Sequence, residues 1–321
     1  TGLVGTRTPY GECKNSINPL YISGGSSSGS AVSVALKMAS FSLGTDTAGS
    51  GRVPAAFNNL IGLKATKGVV STSGVVPACR SLDCVTVFAK ELSSIKMVFD
   101  VINIYDENDI YSRVYNSKNK RIQTSFNFAV PQKNQLEFFE DIEAKELFSE
   151  SIKKLESIGG KAIEIDFEPF KQSANLLYSG PWVAERYIAI KELITKTPEV
   201  LNETIKTIIS SGEKKDAINY FKSEYILKTN RKKVDKLFEE FDFILTPTTG
   251  TIYKISEVNE NPIELNTNLG YYTNFMNLLD LSAIALPAGF RKDGLPFGVT
   301  IIADNFEEEK LLDISNRYLK A

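Results

Sequence analysis

The chain contains two loops of small residues, Gly24-Gly-Ser-Ser-Ser-Gly-Ser30 and Gly44-Thr-Asp-Thr-Ala-Gly-Ser-Gly-Arg-Val-Pro54, and these stretches decide its fold. Between them, Ser30-Ala-Val-Ser-Val-Ala-Leu-Lys-Met-Ala39 predicts a buried helix with Ser30 as its N-cap, and Phe41-Ser-Leu-Gly-Thr45 predicts a short strand. The order loop, helix, strand, loop brings both loops towards one end of a sheet. Proteins of the α/β class commonly build their sites there.

Beyond residue 90, strand patterns alternate with helical ones. We expect strands at 126–130, 161–167, 243–246, 283–286 and 297–302, and helices at 91–103, 136–158, 307–319 and over most of 168–240. This order predicts an α/β fold with a mixed, mostly parallel central sheet covered by helices on both faces. We expect a single domain over 1–321, with the site-bearing core in 1–90 and a helical elaboration, a substrate-recognition region and the end of the core in 91–321.

The composition excludes several classes of function. The 321 residues include no histidine, so a Ser-His-Asp triad and an HExxH zinc site are both excluded. The net charge of −2 gives no reason to expect nucleic acid or an anionic membrane surface as a partner. No apolar run approaches 18 residues. The three cysteines are irregularly spaced, which is typical of reduced thiols and a cytoplasmic protein. We expect Cys79 and Cys84 to be buried thiols rather than metal or redox groups.

The second loop has the features that a nucleophilic serine requires. Gly49 and Gly51 leave the approach to Ser50 open, and the backbone N–H groups of Thr47-Ala-Gly-Ser50 could surround a developing oxyanion. Hydroxyl groups of the first loop could relay a proton where no imidazole exists. We expect Asp46 and Arg52 to form a structural ion pair that shapes the loop. On composition alone, turns or anion cradles are the simpler interpretation of both loops.

The order and spacing of three motifs resemble the amidase signature family. They are the two loops and Gly62-Leu-Lys-Ala-Thr-Lys-Gly68, with Ser50 24 positions after Ser26. The resemblance implies a Ser–cis-Ser–Lys triad, which needs no histidine. It implies that Ser50 is the acylated nucleophile and that Ser26, on a cis peptide bond, bridges it to the lysine. The implied oxyanion hole consists of the N–H groups of Thr47, Ala48, Gly49 and Ser50.

The lysine of that triad has no counterpart in this sequence. The family places it well upstream of the first serine loop, and Lys14 is too close to Ser26 to match. Lys64 and Lys67 belong to the third motif, where we expect structural roles. A desolvated lysine is the base that such a serine pair requires. We therefore expect the chain to be an N-terminally shortened piece of an enzyme, inactive or nearly inactive alone.

Further segments are similar to allophanate hydrolases, a branch of the same family. They are Thr1-Gly-Leu-Val-Gly-Thr-Arg-Thr-Pro-Tyr-Gly11, Gly74-Val-Val-Pro-Ala-Cys-Arg-Ser-Leu-Asp-Cys84 and Tyr178-Ser-Gly-Pro-Trp-Val-Ala-Glu-Arg186. The resemblance implies that Tyr178 and Arg186 hold the substrate, both facing one pocket from a helix. Arginine offers a planar fork for the carboxylate of allophanate. Without the resemblance, a packing tyrosine and a surface arginine would be the simpler interpretation.

The resemblance implies hydrolysis of the C–N amide bond of allophanate, a small anionic amide, to ammonia and carbon dioxide, with no metal or organic cofactor. It also implies a urea carboxylase as pathway partner, and the family often forms homodimers. Two alternatives stay open. The chain could be another amidase-signature enzyme, either a general amidase or the glutaminase subunit of a tRNA-dependent amidotransferase. It could also be an inactive remnant that only binds small anions.

Overall fold

A single eight-stranded sheet runs through the protein. The computed structural model describes residues 5–6, 8, 10–118 and 121–321. The strands are β1 (Phe41–Asp46), β2 (Ile61–Lys64), β3 (Cys84–Ala89), β4 (Phe126–Pro131), β5 (Gly160–Ile165), β6 (Phe243–Pro247), β7 (Ser282–Phe290) and β8 (Pro296–Ala303). Their order across the sheet is β1-β3-β2-β7-β8-β6-β4-β5. The N-terminal strands therefore join the C-terminal pair β7–β8 in the middle of the sheet.

The sheet is mixed, as expected, but the prediction that it is mostly parallel is wrong. Among the strands of the described residues, only β4–β5 and β4–β6 pair in parallel. The β1–β3, β2–β3, β2–β7, β6–β8 and β7–β8 pairs are antiparallel. The physical reason is clearest at β7 and β8, because the short segment 291–295 turns the chain straight back without the helical crossover that parallel neighbours need.

Helices cover both faces of the sheet, as the sequence predicts. They are α1 (Ser28–Ala35), α2 (Val53–Phe57), α3 (Leu92–Ile102), α4 (Ile142–Ser157), α5 (Glu168–Ser179), α6 (Trp182–Lys196), α7 (Glu203–Ser210), α8 (Ala217–Glu240), α9 (Ile255–Glu260), α10 (Pro262–Leu269) and α11 (Glu308–Lys320). Three short 3₁₀ turns lie at Lys133–Gln135, Pro198–Val200 and Ser211–Lys214.

Strand β4 shows how the two faces are separated. Phe128 and Val130 point into a core that includes residues of α3, α4 and α11, whereas Ala129 between them faces a core that includes residues of α5 and α8. Successive side chains of a strand point to opposite faces, so one strand contributes to both cores. Phe128 is fully buried and stacks on Phe243 of β6 with ring centroids 5.4 Å apart.

The first helix differs in detail from its prediction. It begins at Ser28 and ends at Ala35, and Ser27 rather than Ser30 is its N-cap, without a side-chain capping bond. Ser30 Oγ instead donates to the carbonyl of Leu43 at 2.8 Å, tying the helix to β1. Lys37 has a φ of 63°, a left-handed conformation that ends the helix before residue 39. In the described residues, no helix has both the length and the hydrophobicity needed to cross a bilayer.

Candidate active site

The loop that carries Ser50 is organised by a buried ion pair. Asp46, the last residue of β1, accepts hydrogen bonds from Gly49 N at 2.7 Å, Gly51 N at 3.1 Å and Arg52 Nε at 2.9 Å. The side chains of Asp46 and Arg52 are both fully buried. Burial alone would raise the pKa of Asp46, but the Arg52 guanidinium, the Lys64 ammonium and the Gly49 N–H together hold that pKa below its ordinary value. The predicted ion pair is therefore confirmed.

Close packing explains the glycine at position 49. Gly49 has a φ of +131°, and a Cβ there would lie only 2.6 Å from Thr273 Oγ1. Arg52 Nη2 also donates to the carbonyl of Thr273 at 3.2 Å. The loop thus lies directly on the segment around Thr273, and only a residue without a side chain fits at position 49.

The two expected serines meet at the centre of the site. Ser26 Oγ donates to Ser50 Oγ at 3.3 Å, and the Gly25–Ser26 peptide bond is cis, as the resemblance implies. Ser28 Oγ donates to the carbonyl of Gly24 at 2.6 Å, which holds the turn before Ser26. Two hydroxyl groups in contact can pass a proton, but neither is basic enough to accept one permanently near neutral pH.

The hydroxyl pair has no basic partner in the described part of the chain, where no lysine forms a hydrogen bond with Ser26 or Ser50. Lys64 is fully buried, and its Nζ donates to the carbonyl of Leu281, linking β2 to the start of β7. That contact agrees with the structural role expected for Lys64. Among the same described residues, no cluster of acidic or cysteine side chains could hold a metal ion.

Ser50 lines a cavity of about 510 Å³. Gly25, Ala48 and Gly49 border it beside the nucleophile, and Tyr178 of α5 borders it as well. Of the four expected oxyanion-hole residues, Ala48, Gly49 and Ser50 line this cavity, whereas Thr47 is buried and is not among its lining residues. The expectation is wrong for the Gly49 N–H, because that group donates to Asp46. The cavity is large enough for a small amide with room to spare.

Tyr178 and Arg186 lie together, though not on one helix as expected, and of the two Tyr178 alone lines the cavity at Ser50. The chain breaks at Gly180 and Pro181, so Tyr178 ends α5 and Arg186 belongs to α6. The Arg186 guanidinium carbon is 5.1 Å from the centroid of the Tyr178 ring, a cation–π arrangement. Arg186 is only 4% exposed, which excludes the interpretation as a surface arginine. Within the described structure, its Nε and Nη2 atoms are buried without a hydrogen-bond partner.

Two further polar residues support the loop, and the sequence interpretation missed them. Asp83 accepts from Thr47 Oγ1 and from Ala78 N at 2.8 Å. Asn277 Nδ2 donates to the carbonyls of Asp46 and Leu82, each at 2.6 Å. Asp83 stands within the segment 74–84 that carries the family resemblance, so its place in that segment was an available signal. No sequence signal pointed to Asn277, because its partners Leu82 and Asp46 are 195 and 231 residues away along the chain.

The cysteines are reduced and buried at positions 79 and 84, as expected. Burial raises the pKa of both thiols, that of Cys84 to about 11. Cys79 Sγ donates to Glu185 Oε2 at 3.1 Å, so its thiol is a hydrogen-bond donor next to α6. Both thiols therefore remain protonated near neutral pH and are poor nucleophiles.

The structure and sequence are similar to those of known amidases. The chain is 45% identical to urea amidolyase of Saccharomyces cerevisiae over 324 residues, covering all of this chain and 18% of that protein. It superposes on Kluyveromyces lactis allophanate hydrolase with a TM-score of 0.96 at 45% identity, covering 53% of that chain. It is 32% identical to a glutamyl-tRNA(Gln) amidotransferase subunit of Heliobacterium modesticaldum, covering 94% of this chain and 67% of that protein.

The chain therefore spans about half of the allophanate hydrolase chain and less than a fifth of the urea amidolyase it matches. The opening segment of the resemblance, residues 1–11, falls mostly outside the described residues. The Amidase family matches residues 1–312. The sequence match, the fold and the paired serines agree, and this chain belongs to the amidase family.

Proposed function

We propose that this chain is the amidase part of an allophanate hydrolase, cleaving the C–N amide bond of allophanate through a serine acyl-enzyme. One observation carries the proposal. The contact between Ser26 Oγ and Ser50 Oγ lies at a cavity bordered by Tyr178, whose ring stacks with a buried arginine that has two free N–H donors. The 45% identity to urea amidolyase and allophanate hydrolase supports this choice of substrate.

The proposed reaction begins with attack of Ser50 Oγ on the terminal amide carbon. Ser26 accepts the proton of Ser50 and passes its own to the base, while the N–H groups of Thr47, Ala48 and Ser50 stabilise the oxyanion. The Gly49 N–H takes no part, because it donates to Asp46. The C–N bond then breaks and ammonia leaves with a proton from the base. Water attacks the acyl-enzyme in the same way and releases N-carboxycarbamate, which decarboxylates to ammonia and carbon dioxide.

Arg186 would select the substrate by its charge. Leaving two buried guanidinium N–H groups unsatisfied is costly, and a ligand carboxylate would satisfy both of them. A neutral amide offers no such partner, so the buried arginine favours an anionic amide over a neutral one. Tyr178 borders the cavity and holds the guanidinium from one side, which supports its role beside Arg186.

We further propose that the base is a lysine outside residues 1–321, that the chain alone is inactive or nearly so, and that the protein works in the cytoplasm. The absence of any lysine contact to Ser26 within the described residues supports the first point. A urea carboxylase would be the pathway partner, in line with similarity to proteins named urea amidolyase. We also propose that residues 1–321 form a single domain and that the protein forms a homodimer.

The test compares ammonia release from allophanate, glutamine and a simple aliphatic amide. It uses the product of the complete reading frame, residues 1–321 alone, and the Ser50→Ala variant of the former. We expect the complete product to prefer allophanate strongly, residues 1–321 to be inactive or nearly so, and Ser50→Ala to lose activity. Preference for glutamine would instead indicate part of an amidotransferase. No activity with any amide would indicate a remnant that only binds anions.

A further inference from the structure

A second cavity, of about 540 Å³, shares no lining residue with the cavity at Ser50. Its lining is rich in positive charge. The cationic side chains around it are Lys67, Arg80, Arg113, Lys228 and Arg231. The carboxylates around it are Asp83, Glu224 and Asp280. Among the lining side chains, positive charges therefore outnumber negative ones by two, although the whole chain has a net charge of −2.

The carboxylates are already occupied by other groups. Asp280 pairs with Arg113 at 2.8 Å, and Glu224 pairs with Lys228 at 3.6 Å. Asp83 accepts from the Thr47 hydroxyl and from backbone N–H groups of its own segment. Arg231, the remaining paired cation, forms ion pairs with carboxylates outside the cavity lining.

Lys67 and Arg80 are therefore the two cations of this lining that have no ion-pair partner among the described residues. In the residues that the structure describes, neither forms an ion pair or a side-chain hydrogen bond. Arg80 only approaches the Tyr111 ring, with its guanidinium carbon 6.0 Å from the ring centroid. Lys67 is partly buried, and burial lowers the pKa of its ammonium group. The charges of Lys64 and Arg113 lower that pKa further, whereas the Asp280 carboxylate opposes the change. A partly buried ammonium among other cations is stabilised by an anion.

We propose that this cavity binds a small polyanion, of the phosphate or polycarboxylate class, with Lys67 and Arg80 as its charged ligands. Phosphates and polycarboxylates share the feature that matters here, several negative oxygens that accept charge-assisted hydrogen bonds. The cavity volume suits a ligand of ordinary metabolite size. The site goes beyond the proposed hydrolysis and does not depend on it. It also assigns Lys67 a ligand, where the sequence suggested only a structural role.

The experiment is a calorimetric titration of the full chain with inorganic pyrophosphate and, separately, with citrate. We expect saturable binding of at least one of them, weakened as the KCl concentration rises. Lys67→Gln and Arg80→Gln should each weaken binding by about tenfold or more, since each removes one charge-assisted contact. Lys90→Gln, which removes an exposed lysine elsewhere, should bind like the unmodified chain. Binding of pyrophosphate alone assigns the phosphate class, and binding of citrate alone assigns the polycarboxylate class.

Three results would overturn the proposal. The first is that neither anion binds saturably, and the second is that Lys67→Gln and Arg80→Gln both bind as the unmodified chain does. The third is that Arg186→Lys abolishes binding while Lys67→Gln leaves it intact. The last result would locate the anion beside the catalytic serines instead. Thermal melting checks that the variants are folded. Arg80 is exposed, so Arg80→Gln keeps the test decisive even if Lys67→Gln does not fold.

Discussion

At the scale of single residues, Arg186 differs from most buried arginines because two of its N–H donors are without partners among the described residues. The residue beside it in sequence, Glu185, is engaged elsewhere, accepting from Ser81 N at 2.7 Å and from Cys79 Sγ. No neighbouring carboxylate therefore forms an ion pair with the guanidinium in the described structure. In the proposed function, these two donors are the atoms that would pair with the carboxylate of the substrate.

Arg186→Lys in the complete gene product should raise KM for allophanate by about 10- to 100-fold, with a smaller change in kcat. Lysine keeps the positive charge but cannot present two parallel N–H groups, so a bidentate bond worth about 1.5–3 kcal/mol is lost in part or whole. Steady-state kinetics measure the two constants. Arg121→Lys, at an exposed arginine, is the control and should change neither constant; an unchanged KM for Arg186→Lys would remove the arginine from substrate binding.

Asp46→Asn should destabilise the protein by about 3–5 kcal/mol, because it leaves the fully buried Arg52 guanidinium without its partner. Urea unfolding measures the change. Asp100→Asn breaks the exposed pair with Lys96 and should cost less than about 1 kcal/mol. Similar losses in the two variants would contradict a dominant role for the buried pair.

The Asp46 carboxylate makes the free energy of unfolding depend on pH. The pKa of Asp46 in the folded chain lies below its ordinary value of 3.8. Its contribution to stability is therefore complete above about pH 3.8 and is lost as the pH falls further, through the folded-state pKa. Asp46→Asn should lack this component of acid sensitivity, which urea titrations at pH values above and below 3.8 measure.

At the scale of elements, the loop between β1 and α2 is shaped as much by what lies against it as by its own sequence. Ser50 lies four residues after a strand and three before a helix, a tight connection that exposes its hydroxyl to the cavity. The loop packs against Thr273 through Gly49, and Asn277 ties it to the segment before β3. The position of the nucleophile therefore depends on this packing.

Gly49→Ala should reduce the activity of the complete gene product by at least tenfold and lower the melting temperature. A methyl group there would meet Thr273, and the φ of +131° is unfavourable for any residue with a Cβ. Ammonia release and thermal melting measure the two effects. Gly29→Ala is the matched control, because its Cβ would enter open space within α1 and should leave both quantities nearly unchanged or raise stability slightly. Equal behaviour of the two variants would show that loop packing is unimportant.

Elements with a clear hydrophobic period were predictable from the sequence, and elements without one were not. Strands at 126–130 and 243–246 and the closing helix at 307–319 agree with β4, β6 and α11 to within two residues. Strand β2 was missed because Ile61-Gly-Leu-Lys64 is short and contains a glycine, and both of its faces are buried. Burial on both faces removes the alternation that identifies a strand.

At the scale of the whole molecule, the central sheet joins two hydrophobic cores into one unit. Residues of β4, β7 and β8 contribute to both cores, and the pairing of β2 with β7 connects the N-terminal segment to the C-terminal one. The serine motifs and their spacing were predictable from the sequence. The cavity walls and the direction of the strands were not, because both depend on contacts between distant segments.

Phe128→Ala should destabilise the protein by about 3–5 kcal/mol, since it empties a fully buried ring position stacked on Phe243. Phe221→Ala removes an exposed ring of α8 and should change stability by less than about 0.5 kcal/mol. Chemical denaturation of both variants provides the comparison. A small loss for Phe128→Ala would mean that the core between the sheet and α3, α4 and α11 tolerates a cavity at this position.

The contacts that hold the nucleophile loop also have a consequence for biosynthesis. The Arg52 bond to Thr273 spans 221 residues, and the Asn277 bond to Asp46 spans 231. A ribosome that has made only the serine motifs has not yet made the residues against which they pack, and contacts between such distant segments form slowly. The nascent chain therefore carries the Ser50 hydroxyl on an unassembled loop until residues 273–277 have been synthesised and have packed against it.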